Sequence, residues 1–288
     1  MLGTRLAADA AAAGHDVTVT GHDVDAADKN AVAKAVADAR PDVIVNCAAY
    51  TAVDAAESDV DGAVRGNVTV PTVLAAAAES VGARLVHVST DYVFDGTGSR
   101  PLREDDPTGP QSVYGKSKLD GEAPVVAGGG LVVRTSWLYG PTHKNFVRTM
   151  LTLMADREQL RVVADQRGRP TSTSTLSTAI LSLLAADARG VVHVADATAD
   201  DAGADRGISW HDFASAIADE GRAAGLPLRV NAIEAIPSAA YPTPARRPAW
   251  SVFDTSRYSA LTGRALPTWQ GTLKAVVAAI AAAQLQKS

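Results

Sequence analysis

Two periodicities alternate along the first two thirds of this chain. The short apolar runs "DVTVT" (16–20), "DVIVN" (42–46), "RLVHVST" (84–90), "LVVRTS" (131–136) and "LRVVAD" (160–165) have the composition of strands. Between them lie stretches with helical spacing: an alanine-rich segment ending at Gly14, "KNAVAKAVADAR", a long segment up to about Gly82, a segment from Tyr114 to Val126, and another from about Asn145. The apolar runs are continuous rather than alternating, which predicts strands covered on both faces, as in a parallel sheet. Helical crossovers between such strands predict an α/β, doubly wound architecture. The glycines at 128–130 read as a turn before a strand, and no internal repeat stands out. Past residue 165 the pattern loosens. It offers "QRGRPTSTSTLS", a strand-like "VVHVAD", a helix starting at Ser209 and the proline-rich "YPTPARRPAW", which together predict a smaller C-terminal lobe.

Composition narrows the function classes. A chain of 288 residues with 47% hydrophobic content can bury a large core. The net charge of −5 and the absence of a basic run argue against nucleic acid as a partner. The single cysteine, Cys47, excludes an internal disulfide framework and gives no sign of a metal cage. The longest apolar run, "AVVAAIAAA", is too short to span a bilayer, so no membrane partner is expected. Asp9 interrupts the first helix and no cationic leader precedes it, which points to a cytoplasmic address.

In a doubly wound sheet, ligands bind beyond the carboxyl ends of the strands. Those positions hold "CAAYTAVDAAE", "STDYVFDG" and "SWLYGP", rich in small, hydroxyl and aromatic side chains that suit sugar and nucleotide groups. The sharpest signal is "SVYGKSK", which sets Tyr114 and Lys118 four residues apart on one helical face. An adjacent ammonium is expected to lower the phenol's pKa from its usual value near ~10, making Tyr114 an acid or base. Thr90, at the preceding strand end, could donate to the same substrate oxygen. The set serves hydride transfer to or from a carbonyl.

These residues resemble the extended short-chain dehydrogenase/reductases and, within them, the dTDP-4-dehydrorhamnose reductase family. The likeness runs through "PDVIVNCAAYTAVDAAE", "STDYVFDG", "VYGKSKLDGE", "RTSWLYG", "NFVRTMLTLM", "VVADQRGRPT" and "YPTPARRP", of which the last four are the more specific. The resemblance implies a Rossmann-like doubly wound parallel sheet over residues 1–165 that binds a dinucleotide. Residues 166–288 would form mainly a substrate-binding lobe, some segments returning to the first domain. It implies reduction of the C4 carbonyl of dTDP-4-dehydro-L-rhamnose by hydride from NAD(P)H, with Thr90, Tyr114 and Lys118 as the catalytic set. Lys118 would also hold the nicotinamide ribose. Ala48, Ala49 and Tyr50 would line the cofactor, and Asp23 with Val24 would border the adenine. Thr51, Val53, Thr90, Asp91, Tyr92 and Trp137 would face the nucleotide sugar. On the residues alone, Val53 reads equally as core, Asp91 as a turn cap and Trp137 as a packing aromatic. Arg246 and Arg247 suit a diphosphate or a solvated loop equally. Cys47 reads as a small buried residue and His87, inside an apolar strand, as structural.

The chain departs from the family at its start. A dinucleotide fold opens with a buried strand and a Gly-x-x-Gly-x-x-Gly turn at the pyrophosphate. Gly3 matches only the last of these glycines, so the native chain is expected to begin about ten or more residues upstream of Met1. "TGHDVD" carries neither a clear ribose-binding acid nor an arginine, and His22 is a poor phosphate partner. The expected cofactor is NADPH, with NADH tolerated. The expected assembly is a monomer or homodimer. The alternatives are another nucleotide-sugar epimerase or dehydratase of the same superfamily, and a non-catalytic regulatory subunit retaining the fold.

Overall fold

The structure, a computed structural model, describes residues 1–21, 23–198 and 206–285. In chain order the first elements are α1 (Leu2–Ala12), α2 (Lys29–Ala39), β1 (Val43–Asn46), α3 (Val53–Ala56), α4 (Val60–Val64), a π-helical turn (Arg65–Thr69), α5 (Val70–Val81) and β2 (Arg84–Thr90). A 3-10 turn (Asp91–Val93) leads to α6 (Val113–Ala127), β3 (Leu131–Thr135), β4 (Leu138–Tyr139), α7 (Phe146–Asp156) and β5 (Gln159–Val163). The remainder comprises β6 (Arg167–Gly168), β7 (Thr171–Ser172), α8 (Thr173–Ala185), β8 (Gly190–His193), β9 (Ile208–Ser209), α9 (Trp210–Ala223), β10 (Ala232–Ile236), α10 (Ser256–Thr262) and α11 (Trp269–Leu285).

The main sheet has the order β1-β2-β3-β8, and every pair in it is parallel. Its strands are apolar on both sides because both sides are covered. Val86, Leu131, Val133 and Val192 pack with Leu2 and Leu6 of α1 and Leu176, Ile180 and Leu183 of α8. The alternate residues Leu85 and Val132, with Ile44 and Val191, face Ala78 of α5 and Val125 of α6. This is the doubly wound α/β, Rossmann-like layering that continuous apolar strands imply. β8, the "VVHV" run, belongs to this sheet although it lies beyond residue 165.

Two strand expectations are corrected. Residues 16–20 form no strand: among the described residues β1 pairs only with β2, and a strand without a ladder partner has no backbone hydrogen bonds to define it. The "QLRVV" run is a strand, but it pairs with β10 in a separate two-stranded sheet. That small sheet sits in a second core, in which Leu151 and Met154 of α7 pack with Phe213 and Ile217 of α9 and Leu273 and Val277 of α11.

Candidate active site

The carboxyl ends of β1, β2 and β3 carry the predicted residues into one region. Thr90 ends β2, and its hydroxyl caps the following 3-10 turn by accepting from the Tyr92 amide at 3.3 Å. The same hydroxyl donates to the Asp91 carboxylate at 3.1 Å. Tyr92 meets Tyr114 edge to face, with ring centroids 5.3 Å apart. Tyr114 stands in the first turn of α6, a helix capped by Ser112, whose hydroxyl accepts from the Gly115 amide at 3.1 Å. Gly115 lets the helix seat against the 3-10 turn, because a Cβ there would lie 2.3 Å from the Tyr92 carbonyl oxygen. The structure thus brings Thr90, Asp91, Tyr92 and Tyr114 together.

Burial sets their protonation. The Tyr114 hydroxyl is pushed up to about 12, chiefly by burial, against which the neighbouring Thr90 hydroxyl works while the nearby Asp91 charge adds to the rise. The expectation that Lys118 would lower this value is therefore corrected. Lys118 points instead beneath β2, where its Nζ lies 3.1 Å from His87 Nε2 and donates to the Val88 carbonyl at 2.6 Å. Its own pKa is drawn down to about 8 by burial, with Glu122 opposing. Asp91 is raised to about 6 by burial, with the neighbouring Ser251 hydroxyl and the hydrogen bond from Thr90 partly offsetting it. A phenol held protonated through neutral pH is a proton donor, which suits reduction of a ketone.

The loop after β1 forms a second wall. Asn67 in the π-helical turn is fully buried; its Oδ1 accepts from the Tyr50 amide at 2.9 Å and its Nδ2 donates to the Tyr50 carbonyl at 3.1 Å. That Nδ2 also reaches Ser117 Oγ of α6 at 3.0 Å, tying the loop to the Tyr114 helix. Ala48, Ala49 and Thr51 are exposed along this loop, and Val53 opens α3 half-buried. Gly3 of α1 comes close to the same loop, since a Cβ there would stand 3.5 Å from the Cys47 Cβ. Small residues and bare backbone at a strand end beside a helix N-terminus fit a dinucleotide. Asp23 is exposed and holds the Gly21 amide at 2.7 Å, Val24 packs with Val32 and Val36 of α2, and His22 lies outside the described residues.

Trp137 follows β3 at φ 48° and stacks flat on Trp210, ring centroids 3.6 Å apart. Its other neighbour is Gly168, where a Cβ would come within 2.7 Å of the indole. Arg247 makes a two-pronged ion pair with Asp54, at 2.9 and 2.8 Å, and its charge acts on Tyr92. Arg246 is exposed to one side and reaches Gln111 at 3.4 Å. No group of three or more histidines, cysteines or acids disposed to hold a metal exists among the described residues.

Asn46, Asn67, His87, Glu122 and Trp210 support this arrangement, and sequence reasoning did not assign them to it. Their signals are long-range pairings, with partners such as Asn67 and Ser117 lying 50 positions apart.

Comparison with known proteins agrees with this geometry. A family model described as the RmlD substrate binding domain matches residues 1–282. The chain is 44% identical over 282 residues to a dTDP-4-dehydrorhamnose reductase of Burkholderia thailandensis, covering 93% of this chain and 92% of that one. It is 41% identical to the Escherichia coli reductase of the same name, covering 90% and 86%. Among solved structures, a dTDP-4-dehydrorhamnose reductase of Clostridium acetobutylicum superposes with a TM-score of 0.87 at 36% identity, covering 100% of this chain and 96% of that one. The Bacillus anthracis reductase, solved in complex with NADP, gives 0.87 at 33% identity over 96% and 94%.

Proposed function

Since the chain belongs to the RmlD family of dTDP-4-dehydrorhamnose reductases, an NAD(P)H-dependent oxidoreductase family, we propose how its own residues divide the work of reducing the C4 carbonyl of dTDP-4-dehydro-L-rhamnose. The observation that carries the reading is the placement of Tyr114 in the first turn of α6, edge to face on Tyr92 and buried beside Thr90 and Asp91 at the end of β2. NADPH, when bound, supplies the hydride to C4, and NADH is accepted in its place.

Tyr114 and Thr90 both donate to the C4 oxygen. As negative charge develops there, the phenol surrenders its proton and the threonine hydroxyl stabilises what remains. Lys118, one helical turn on, holds the nicotinamide ribose. Gly3, Ala48, Ala49 and Tyr50 border the cofactor, with Asp23 and Val24 at the adenine end. Thr51, Val53, Asp91, Tyr92 and Trp137 orient the sugar and nucleotide. Arg247, beside Tyr92, turns to the diphosphate, with Arg246 at the rim. Residues 166–288 supply most of the substrate lobe. A chain handling a diffusible nucleotide sugar acts in the cytoplasm, as a monomer or homodimer.

The test is NADPH oxidation on addition of dTDP-4-dehydro-L-rhamnose. Tyr114→Phe, which keeps the ring packing on Tyr92 but has no proton to give, is expected to lose about 10²–10⁴-fold in kcat. Undiminished turnover in that variant would overturn the assignment of the proton donor.

A further inference from the structure

Beneath the site lies a buried polar chain that runs from Asn46 on β1 through His87 on β2, two residues the proposed mechanism leaves unused, to Lys118 on α6. His87 and Asn46 are both buried, at 0% and 4% exposure, and Lys118 at 2%. Asn46 Nδ2 lies 3.0 Å from His87 Nδ1, and Lys118 Nζ lies 3.1 Å from His87 Nε2.

The proton positions in this chain follow from one backbone group. The Ala48 amide, which can only donate, meets Asn46 Oδ1 at 3.0 Å. That contact fixes which end of the Asn46 side chain is oxygen, so its NH₂ is the end that faces His87. Nδ1 must then accept. A neutral imidazole that accepts at one nitrogen carries its proton on the other, which places an N–H on Nε2 aimed at Lys118. An ammonium has no lone pair to receive it, whereas a neutral amine does, and an amine still has hydrogens for the Val88 carbonyl at 2.6 Å.

We infer that His87, held by Asn46 with its proton on Nε2, is a positioning residue that weakens the proton affinity of Lys118, because an Nε2–H aimed at Nζ is accepted by the neutral amine and opposed by the ammonium. The inference rests on the reading of Lys118 as a site residue. His87 stays neutral because burial, joined by the Lys118 charge whenever that amine is protonated, holds its pKa well below the usual histidine range. Burial draws the Lys118 pKa down as well, and the surrounding charges add nothing to that lowering. Glu122 on the same helix opposes the lowering at Lys118, and it is itself bound by Arg134 from β3 at 2.7 Å. Asp91, beyond Tyr114, acts on the phenol, and the facing π-helical turn offers the uncharged Asn67 to α6.

The experiment uses the full chain without ligand, labelled with ¹⁵N-histidine and ¹³Cε-lysine, and its pH series is followed by NMR beside a pH profile of kcat/KM. In the unsubstituted chain His87 is expected as the Nε2–H tautomer, and Lys118 is expected to titrate near 8. His87→Asn keeps a partner for Asn46 but cannot reach Nζ. The Lys118 midpoint, and the high-pH limb of kcat/KM with it, should then rise by about one pH unit or more. Asn46→Asp retains the Ala48 contact but accepts from Nδ1, turning Nε2 into an acceptor, so the midpoint rises with the imidazole still present. An Nδ1–H tautomer in the unsubstituted chain, or a Lys118 midpoint unmoved in both variants, overturns the inference. Should His87→Asn not fold, the unsubstituted spectra and Asn46→Asp decide it. Expected spectra from a chain that does not turn over would sink the reductase reading and leave the His87–Lys118 pairing standing.

Discussion

Asp91 illustrates how burial at single residues trades stability for chemistry. Its carboxyl titrates near 6 in the fold, above the value near ~3.9 expected of an unfolded aspartate. The folded state therefore holds the proton more tightly than the unfolded one. That contribution is fully present below about pH 4 and is lost as pH rises through about 6, leaving a cost of about 2–3 kcal/mol at neutral pH. Asp91→Asn keeps an oxygen for the Thr90 hydroxyl and removes the titration. It is expected to raise the denaturation midpoint at about pH 7.5 and to leave it unchanged near pH 4, and equal midpoints at both would refute the assigned cause. At this scale the spacing of Tyr114 and Lys118 was legible because four positions on a helix is a local relation. The protonation of both was not. Lys118 turns to His87, 31 positions away in the chain, and the phenol is raised by burial that only the assembled sheet creates.

At the scale of elements, α6 must be held against the sheet if Tyr114 is to face Thr90, and two features do this. Glu122 accepts from Arg134 of β3 at 2.9 and 2.7 Å and from Ser89 of β2 at 2.5 Å, in a fully buried cluster. Removing one partner of a buried ion pair leaves the other uncompensated. Glu122→Ala is thus expected to destabilise by about 3–5 kcal/mol in urea denaturation, and a loss under about 1 kcal/mol would show that α6 is held otherwise. On the opposite side, Gly121 rests against the π-helical turn, where a Cβ would come within 2.0 Å of the Asn67 carbonyl oxygen. Backbone cannot yield as a side chain end does, so Gly121→Ala is expected to cost about 1–3 kcal/mol and to lower kcat, since the displaced helix carries Tyr114. Most elements were legible from periodicity, because strands buried on both faces are apolar throughout and helices carry caps such as Ser112, Asn145 and Ser209. The failures share a cause: a strand is defined by its neighbour. "DVTVT" has the composition of a strand but no ladder partner, and "QLRVV" has a partner in β10 that no local pattern announces.

Across the whole molecule, side chains from beyond residue 200 reach the segments that follow the sheet strands. Trp137 leaves the sheet with a left-handed backbone and stacks on Trp210 of the second core. Arg247, in the proline-rich loop, clamps Asp54 of α3, whose carboxyl it holds below the usual range while the Asp54 contact raises the guanidinium. The pair is partly exposed, at 25% for Arg247 and 40% for Asp54, so its contribution to stability is small. Its placement matters more. Tyr92 lies within the field of the same guanidinium, so the arginine stands at the rim of the site with its fork committed to a carboxylate, the geometry that a diphosphate also satisfies. Exchange of one acceptor for the other predicts a separation of kinetic parameters. Arg247→Gln should raise KM for the nucleotide sugar about 10–100-fold, the worth of a charge-assisted pair, and leave KM for NADPH unchanged. Asp54→Asn releases the guanidinium without removing it, so KM for the nucleotide sugar should fall or hold rather than rise. Steady-state kinetics on both variants separates this from a strut that only braces the loop, because a strut would be lost equally in each and would raise KM in both.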